Sequence, residues 1–354
     1  MSTCLPDGIV VSCAAPWLGG GLGRHLAEVV EGARGQGTLC RYFASTVPAD
    51  DPDGEAVGLW WWLPWVAQYT PVRFSQAWRA YLGSEAFDRA VASRLPLGGE
   101  TVVGFAGMAL HTFRRARQLG YRKLQLESPT AHIARVRWLY DLAYRQYPME
   151  RDCIHSRLVR KILAEYVLAD EIVVGSEYSR ESFLAAGIPG GKIARRTLTV
   201  DPRFRPAPEA RPDHFHVLYV GSLTVIKGVP LLLEAFQRVS DPGAQLTLVG
   251  GSGSRGMRRL LDRARQDPRV RVTVGDPLPY LQTASVFVHP SYQDGFGYAP
   301  MEALACGVPV IVTTETGMKE HVRDGENGFI VPAGDPGRVW ERLMDLKEMA
   351  RDGT

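Results

Sequence analysis

Asp294 and Glu302 are the two side chains whose setting most favours chemistry. They stand eight positions apart in V-H-P-S-Y-Q-D-G-F-G-Y-A-P-M-E-A-L-A-C-G-V-P, Val288 to Pro309. The apolar run Ser285 to Val288 reads as a strand. Gly295, Phe296, Gly297 and Tyr298 then turn the chain into a helical pattern that holds Glu302. A strand feeding a glycine turn feeding a helix lets both carboxylates lean over one crevice, where they are acceptors suited to sugar hydroxyls. The helix N-terminus adds free N–H groups and partial positive charge suited to a phosphate. Taken singly, Asp294 also reads as a helix cap and Glu302 as a surface acid; the ordered context favours a site.

The D-x7-E spacing within H-P-S-x-x-D-G-F-G-x-x-x-x-E-A-L-A-x-G-x-P-V resembles the signature of the retaining, nucleotide-sugar-dependent GT-B glycosyltransferases of family 4. The resemblance implies an α/β chain of two Rossmann-like, doubly wound domains facing each other across a cleft. In that family the first acid is usually Glu and touches the donor sugar; here it is Asp294, one methylene shorter. Glu302 matches the acid that holds the ribose. Gly221 to Gly228 (G-S-L-T-V-I-K-G) resembles the family's G-R-L-x-x-x-K-G loop, whose Arg and Lys clamp the leaving diphosphate. Lys227 is present and Ser222 fills the Arg position, so Lys227 carries more of that load. Gly20, Gly21 and Arg24 lie in a stretch like the family's G-G-x-x-R-H loop, which faces donor diphosphate and acceptor.

By this reading Lys227, Asp294 and Glu127 are catalytic. Gly20, Gly21, Ser222, Lys227, Gly295, Phe296, Gly297, Tyr298 and Glu302 bind the donor, and His132 and Arg24 meet the acceptor. Many relatives carry a histidine where this chain has Glu127, so no histidine role is transferred to it. Glu127 and His132 also read as helix-capping groups.

These residues need strands and helices to position them. Gly8 to Ala15 is a β-branched run, followed by glycines 19, 20, 21 and 23 and a helical pattern from Arg24 to Ala33. As a dinucleotide fingerprint this fails, because G-x-G-x-x-G would need glycine where Leu26 stands. An oxidoreductase on a Rossmann fold is thereby disfavoured. Strand patterns at Leu39–Ala44, Thr101–Phe105, Lys123–Leu126 and Glu171–Gly175 alternate with helical ones, as in a parallel sheet covered on both faces. The proline-rich stretch Asp201 to Phe215 reads as a linker, dividing a first domain, 1–205, from a second, 206–354. In the second, strands are expected at His216–Val220, Gln245–Val249, Arg269–Val274, Val308–Thr313 and Asn327–Val331, with an amphipathic helix from Pro230 to Val239 and another from Gly337 to Met349.

At 354 residues and a net charge of +3 the composition is that of an ordinary globular protein. Residues 1–205 hold 25 basic against 20 acidic side chains, so the first half is the one expected to meet an anionic acceptor or a membrane surface. Nothing resembles a nucleic-acid module. Trp60, Trp61, Trp62, Trp65, Tyr69, Phe74, Trp78 and Tyr81, with Arg73 and Arg79, read either as helical lining or as a surface gripping an acceptor or a membrane interface. Asp51, Pro52 and Asp53 mimic a metal-binding D-x-D but read as solvated acids. Of five scattered cysteines four, in apolar or small-residue surroundings, read as packed thiols, and no leader pattern is visible, so a cytoplasmic protein with at most peripheral membrane contact is expected. The expected partners are an NDP-sugar donor, which is a co-substrate, and a glycan or lipid-linked acceptor. Neither a metal nor a cofactor is expected, because Lys227 and backbone N–H groups can carry the leaving charge. A non-catalytic nucleotide-sugar-binding protein of the same fold is the competing reading.

Overall fold

Runs such as Ile9-Val10-Val11 and Val310-Ile311-Val312 are apolar on both faces, so as strands they must be covered on both sides, which an all-parallel sheet with crossover helices provides. The computed structural model, which describes residues 7–58, 75–150, 154–207, 214–252 and 254–352, contains two such sheets. The chain divides into two compact units, one of residues 1–134, 152–175 and 179–198, the other of residues 135–151, 176–178 and 199–354.

The first unit holds β1 (Ile9–Ser12), β2 (Leu39–Ala44), β3 (Gly54–Ala56), β4 (Thr101–Phe105), β5 (Lys123–Ser128), β6 (Glu171–Val174) and β7 (Ile193–Arg195). They pair in the order β3-β2-β1-β4-β5-β6-β7, parallel throughout. Helix α1 (Gly20–Gly35) follows β1 and begins four residues before the expected Arg24, so Gly20 and Gly21 form its first turn rather than a loop ahead of it. Helices α2 (Gln76–Arg94), α3 (Leu110–Gln118), α4 (Ile133–Gln146), α5 (Ser156–Leu168) and α6 (Glu177–Ala185) follow in chain order. Most of α4 belongs to the second unit. There Tyr147 donates to Glu234, Tyr292 donates to Gln146, and Glu150 accepts from the Val225 N–H.

The second unit holds β8 (His216–Val220), β9 (Gln245–Val249), β10 (Val270–Thr273), β11 (Val286–His289), β12 (Val310–Thr313) and β13 (Gly328–Val331), in the order β10-β9-β8-β11-β12-β13, again all parallel. Its helices are α7 (Val229–Gln237), α8 (Arg255–Ala264), α9 (Leu278–Thr283), α10 (Tyr298–Ala305) and α11 (Pro336–Asp352). The helix expected to be amphipathic, α7, is buried nearly all round, because Val339, Leu343 and Leu346 of α11 and Tyr140 of α4 join the core that covers it.

Two expectations need correction. Asp51 is not a solvated acid: it accepts from the Arg34 guanidinium and the Tyr42 hydroxyl, and its side chain is 10% exposed. The turn between β2 and β3 folds back over the end of α1, which brings that cation within reach. Cys40 is disulfide-bonded rather than a packed thiol, while Cys13 and Cys306 are free and buried. The cysteines therefore no longer argue for a reducing compartment. Trp60 to Phe74, Cys4, Cys153 and part of the expected linker lie outside the described residues. No helix is long and apolar enough to cross a membrane.

The N-terminus of α3, at the carboxyl end of β4, is closed by two buried carboxylates. Asp88 of α2 accepts from the N–H groups of His111 and Thr112, and Glu165 of α5 accepts from those of Gly107, Ala109 and Leu110. Lys161 lies 2.8 Å from Asp88 and 2.9 Å from Glu85, so the cluster of Glu85, Asp88 and His111 already has its cation. Burial pushes the Glu165 carboxyl up to about 7, against the opposing pull of its backbone hydrogen bonds. The unfolded chain releases this proton first, near 4.5, so the contribution of Glu165 to stability is greatest below that pH and is lost as pH rises to about 7. Denaturant titrations at pH 5 and pH 8 should show this fall in the wild type, and Glu165→Gln should flatten it; an unchanged slope in the variant would refute the assignment.

Candidate functional site

In a parallel sheet the crevice opens where the strand order reverses direction, beyond the carboxyl ends of the two strands that part there. In the second unit those strands are β8 and β11, and they deliver the two stretches singled out in the sequence. The turn after β8 and the turn after β11 are stitched together: the Tyr292 N–H donates to the Ile226 carbonyl. Gly228 has φ +72°, and a Cβ there would fall 1.9 Å from the Pro290 carbonyl oxygen. Only glycine admits that approach. The turn after β8 is also tied to the turn after β9, with the N–H of Leu223 donating to Gly251.

This stitching places Lys227 Nζ 2.6 Å from Asp294 Oδ2, and His289 Nε2 donates to the same oxygen at 3.1 Å. Burial opposes ionisation of Asp294, but the Lys227 charge and the His289 hydrogen bond outweigh it and hold the carboxyl well below the usual range. The Asp294 backbone is fixed as well, its N–H donating to Glu315 and its carbonyl accepting from Gly317. Helix α10 starts at Gly297 with no side-chain cap, so Asp294 is not a helix cap. Glu302, on α10, is 2% exposed and is not a surface acid. Gly295, Phe296 and Gly297 are buried beside it, Tyr298 is half-buried, and Ser222 is exposed at the tip of its turn.

Buried polar atoms are almost always paired. Among the described residues seven buried side-chain atoms lack a partner, and five of them flank these turns: Thr224 Oγ1, Ser252 Oγ, His289 Nδ1, Gln293 Nε2 and Thr316 Oγ1. All five follow or end a strand of the second sheet at its carboxyl edge. The concentration lies at the same strand ends as Lys227 and Asp294.

In the first unit Gly20 and Gly21 are exposed in the opening turn of α1, whose N-terminus carries no side-chain cap and no acidic residue. Its free N–H groups are suited to an anion. Arg24 is half-buried one turn on, and His25 is buried. Glu127, at the end of β5, is fully buried and saturated: His25 Nε2 lies 3.0 Å from one oxygen, and Arg196 and Gln125 donate to the other at 2.6 and 2.8 Å. Burial alone would raise the Glu127 carboxyl, but His25 and Arg196 lower it. His132 is buried against Tyr166 and Phe183, and its Nδ1 accepts from the Ala134 N–H at the start of α4. That is the capping geometry; burial also lowers its pKa.

Three partners were not singled out from sequence. His25 stands within the glycine stretch and His289 before Pro290, so each had a local signal. Arg196 had none, since only the pairing of β5, β6 and β7 brings it to Glu127. Glu127→Gln should leave Arg196 and His25 without their counter-charge and cost about 3 kcal/mol in denaturant stability. Arg196→Ala, at the more exposed end, should cost less. Equal losses would argue against Glu127 as the centre of the cluster.

Residues 214–348 match the sequence model of the family described as glycosyl transferases group 1. The capsular polysaccharide biosynthesis glycosyltransferase CapM of Staphylococcus aureus is 34% identical over 141 residues, 38% of this chain and 37% of CapM. The chain spans less than half the length of the curated relatives it matches. Among solved structures, sucrose-phosphate synthase from Thermosynechococcus elongatus superposes with a TM-score of 0.71 at 20% identity, covering 97% of this chain and 90% of that one. Anabaena HepE in complex with UDP-glucose gives 0.69 at 15% identity, covering 97% and 90%. At these identities the likeness shows the fold, which is GT-B.

Proposed function

We propose that this chain, whose residues 214–348 match the sequence model of the group 1 glycosyl transferases, moves a sugar from a nucleoside diphosphate donor to a glycan or lipid-linked acceptor, with retention at the anomeric carbon. The reaction would serve the building of a polysaccharide or cell-surface glycan. The observation that carries this reading is the convergence of Lys227, Asp294 and His289 beside five unpaired buried polar atoms at the carboxyl edge of the second sheet.

The hard part of glycosyl transfer is carrying negative charge on the departing diphosphate while the anomeric carbon becomes cationic. Lys227 and the uncapped N-terminus of α10 supply fixed positive charge for the first need. Asp294 accepts from hydroxyls of the donor sugar, and Glu302 accepts from the ribose. Ser222 offers a hydroxyl where the family has an arginine. In the first unit, the α1 N-terminus at Gly20 and Gly21, with Arg24, would meet the acceptor, whereas Glu127 and His132 are buried and already hydrogen-bonded. The leaving phosphate takes the proton from the acceptor hydroxyl on the same face, so no protein nucleophile is needed. No divalent ion takes part in this scheme.

HepE was solved with UDP-glucose, and uridine donors are therefore the first to try. Calorimetry with UDP-, GDP-, ADP- and dTDP-sugars should find one class that binds. Lys227→Ala and Glu302→Ala should each weaken it by about tenfold to a hundredfold, the range for a lost charge-assisted hydrogen bond, and EDTA should leave binding unchanged. Binding without any turnover, across a panel of glycan and lipid-linked acceptors, would favour the non-catalytic reading. Failure of every donor to bind would overturn the proposal.

A further inference from the structure

The two groups that hold Asp294 differ in kind. Lys227 is 28% exposed on a turn, while His289 is 4% exposed on the last residue of β11. Both converge on Oδ2, and no other side-chain contact of Asp294 exists among the described residues, so Oδ1 is the oxygen left to accept from a ligand. An ionised carboxylate only accepts, so His289 Nε2 carries the hydrogen in this contact, while Nδ1 is buried and unpaired.

A diphosphate draws on Lys227, the cation in the turn after β8. As that lysine turns toward phosphate its hold on Asp294 weakens, and the carboxylate would then rotate about its short stem. His289 cannot follow the phosphate: it is anchored in the sheet, packed on all sides, and carries one donor already aimed at Oδ2. The Asp294 backbone adds the remaining restraint through Glu315 and Gly317.

We propose that His289 is a positioning residue of the donor site: it holds Asp294 Oδ2 independently of Lys227, and so fixes Oδ1 against a hydroxyl of the donor sugar. The pairing lets an aspartate reach with certainty where a longer glutamate would reach by length. This inference rests on the donor reading above, and it concerns the sugar, not the nucleotide.

The two are separable by measuring, for the same variants, affinity for UDP and for UDP-glucose, or for whichever diphosphate and sugar pair the wild type prefers, together with the slow hydrolysis of that donor. His289→Phe keeps the ring and removes the donor; it should bind the free diphosphate like the wild type but lose about tenfold to a hundredfold of the extra affinity or hydrolysis contributed by the sugar, the range for one hydrogen bond to a charged group. His289→Gln, whose amide N–H reaches the Nε2 position, should restore much of the loss. His289→Asn, whose amide falls at Nδ1, should not. In the cycle with Asp294→Asn the double variant should be no worse than Asp294→Asn alone, because both act through one oxygen.

Equal weakening toward diphosphate and sugar donor, equal behaviour of Gln and Asn, or additive losses in the cycle would each show a merely structural histidine and overturn the proposal. A wild type that binds no member of the donor panel would instead overturn the donor reading, and this inference with it.

Discussion

The charge pair between Lys227 and Asp294 depends on two strands parting. β8 and β11 lie side by side and parallel, and the chain reaches neighbouring strands in opposite directions from there, β9 on one side and β12 on the other. The turns leaving both carboxyl ends therefore meet over an open edge, with no crossover helix between them. Opposite charges 2.6 Å apart at that half-buried edge attract strongly enough to outweigh the desolvation of the carboxylate. The close approach of Gly228 to Pro290 and the hydrogen bond from the Tyr292 N–H to Ile226 keep the turns in contact. The pair, His289 and the unpaired buried polar atoms then share one carboxyl edge of the sheet.

The first unit uses the same edge differently. Two of its helices start beside the reversal point, α1 after β1 and α3 after β4, and each presents unsatisfied N–H groups. At α3 they are consumed internally by Asp88 and Glu165, whose burial is offset by Lys161 and by the N–H groups themselves. At α1 no side chain caps the opening turn. Helix dipoles of the same sign thus differ, one neutralised by buried carboxylates of the fold and one without a side-chain cap. The buried Glu127 cluster stands at the same edge, its negative charge enclosed by His25, Arg196 and Gln125.

Much of this was legible in the chain. Leu39–Ala44, Thr101–Phe105, His216–Val220 and Gln245–Val249 emerge as strands with the bounds their β-branched and aromatic runs imply. The order of glycine, lysine and acid motifs pointed to the second unit. Less legible was anything set by a neighbour distant in sequence. Asp51 looked solvated until Arg34 and Tyr42 closed on it. Helix α7 looked amphipathic until α11 and part of α4 closed over it, leaving only Glu234 and Gln237 outside the buried surface.

The sequence by itself determined the parallel α/β architecture, because apolar runs alternating with helical periods have few other ways to bury both faces of a sheet. It also singled out Asp294 and Glu302, through a local order of strand, glycine turn and helix, and Lys227, through the resemblance of its loop. Only the tertiary structure decided which oxygen of Asp294 is free, that Glu127 is enclosed, and that Arg196, Lys161 and His289 are partners. Apart from His289, five positions from Asp294, those outcomes depend on distances between residues tens of positions apart, such as Lys227 and Asp294 or Arg196 and Glu127, and strand order rather than local pattern sets such distances.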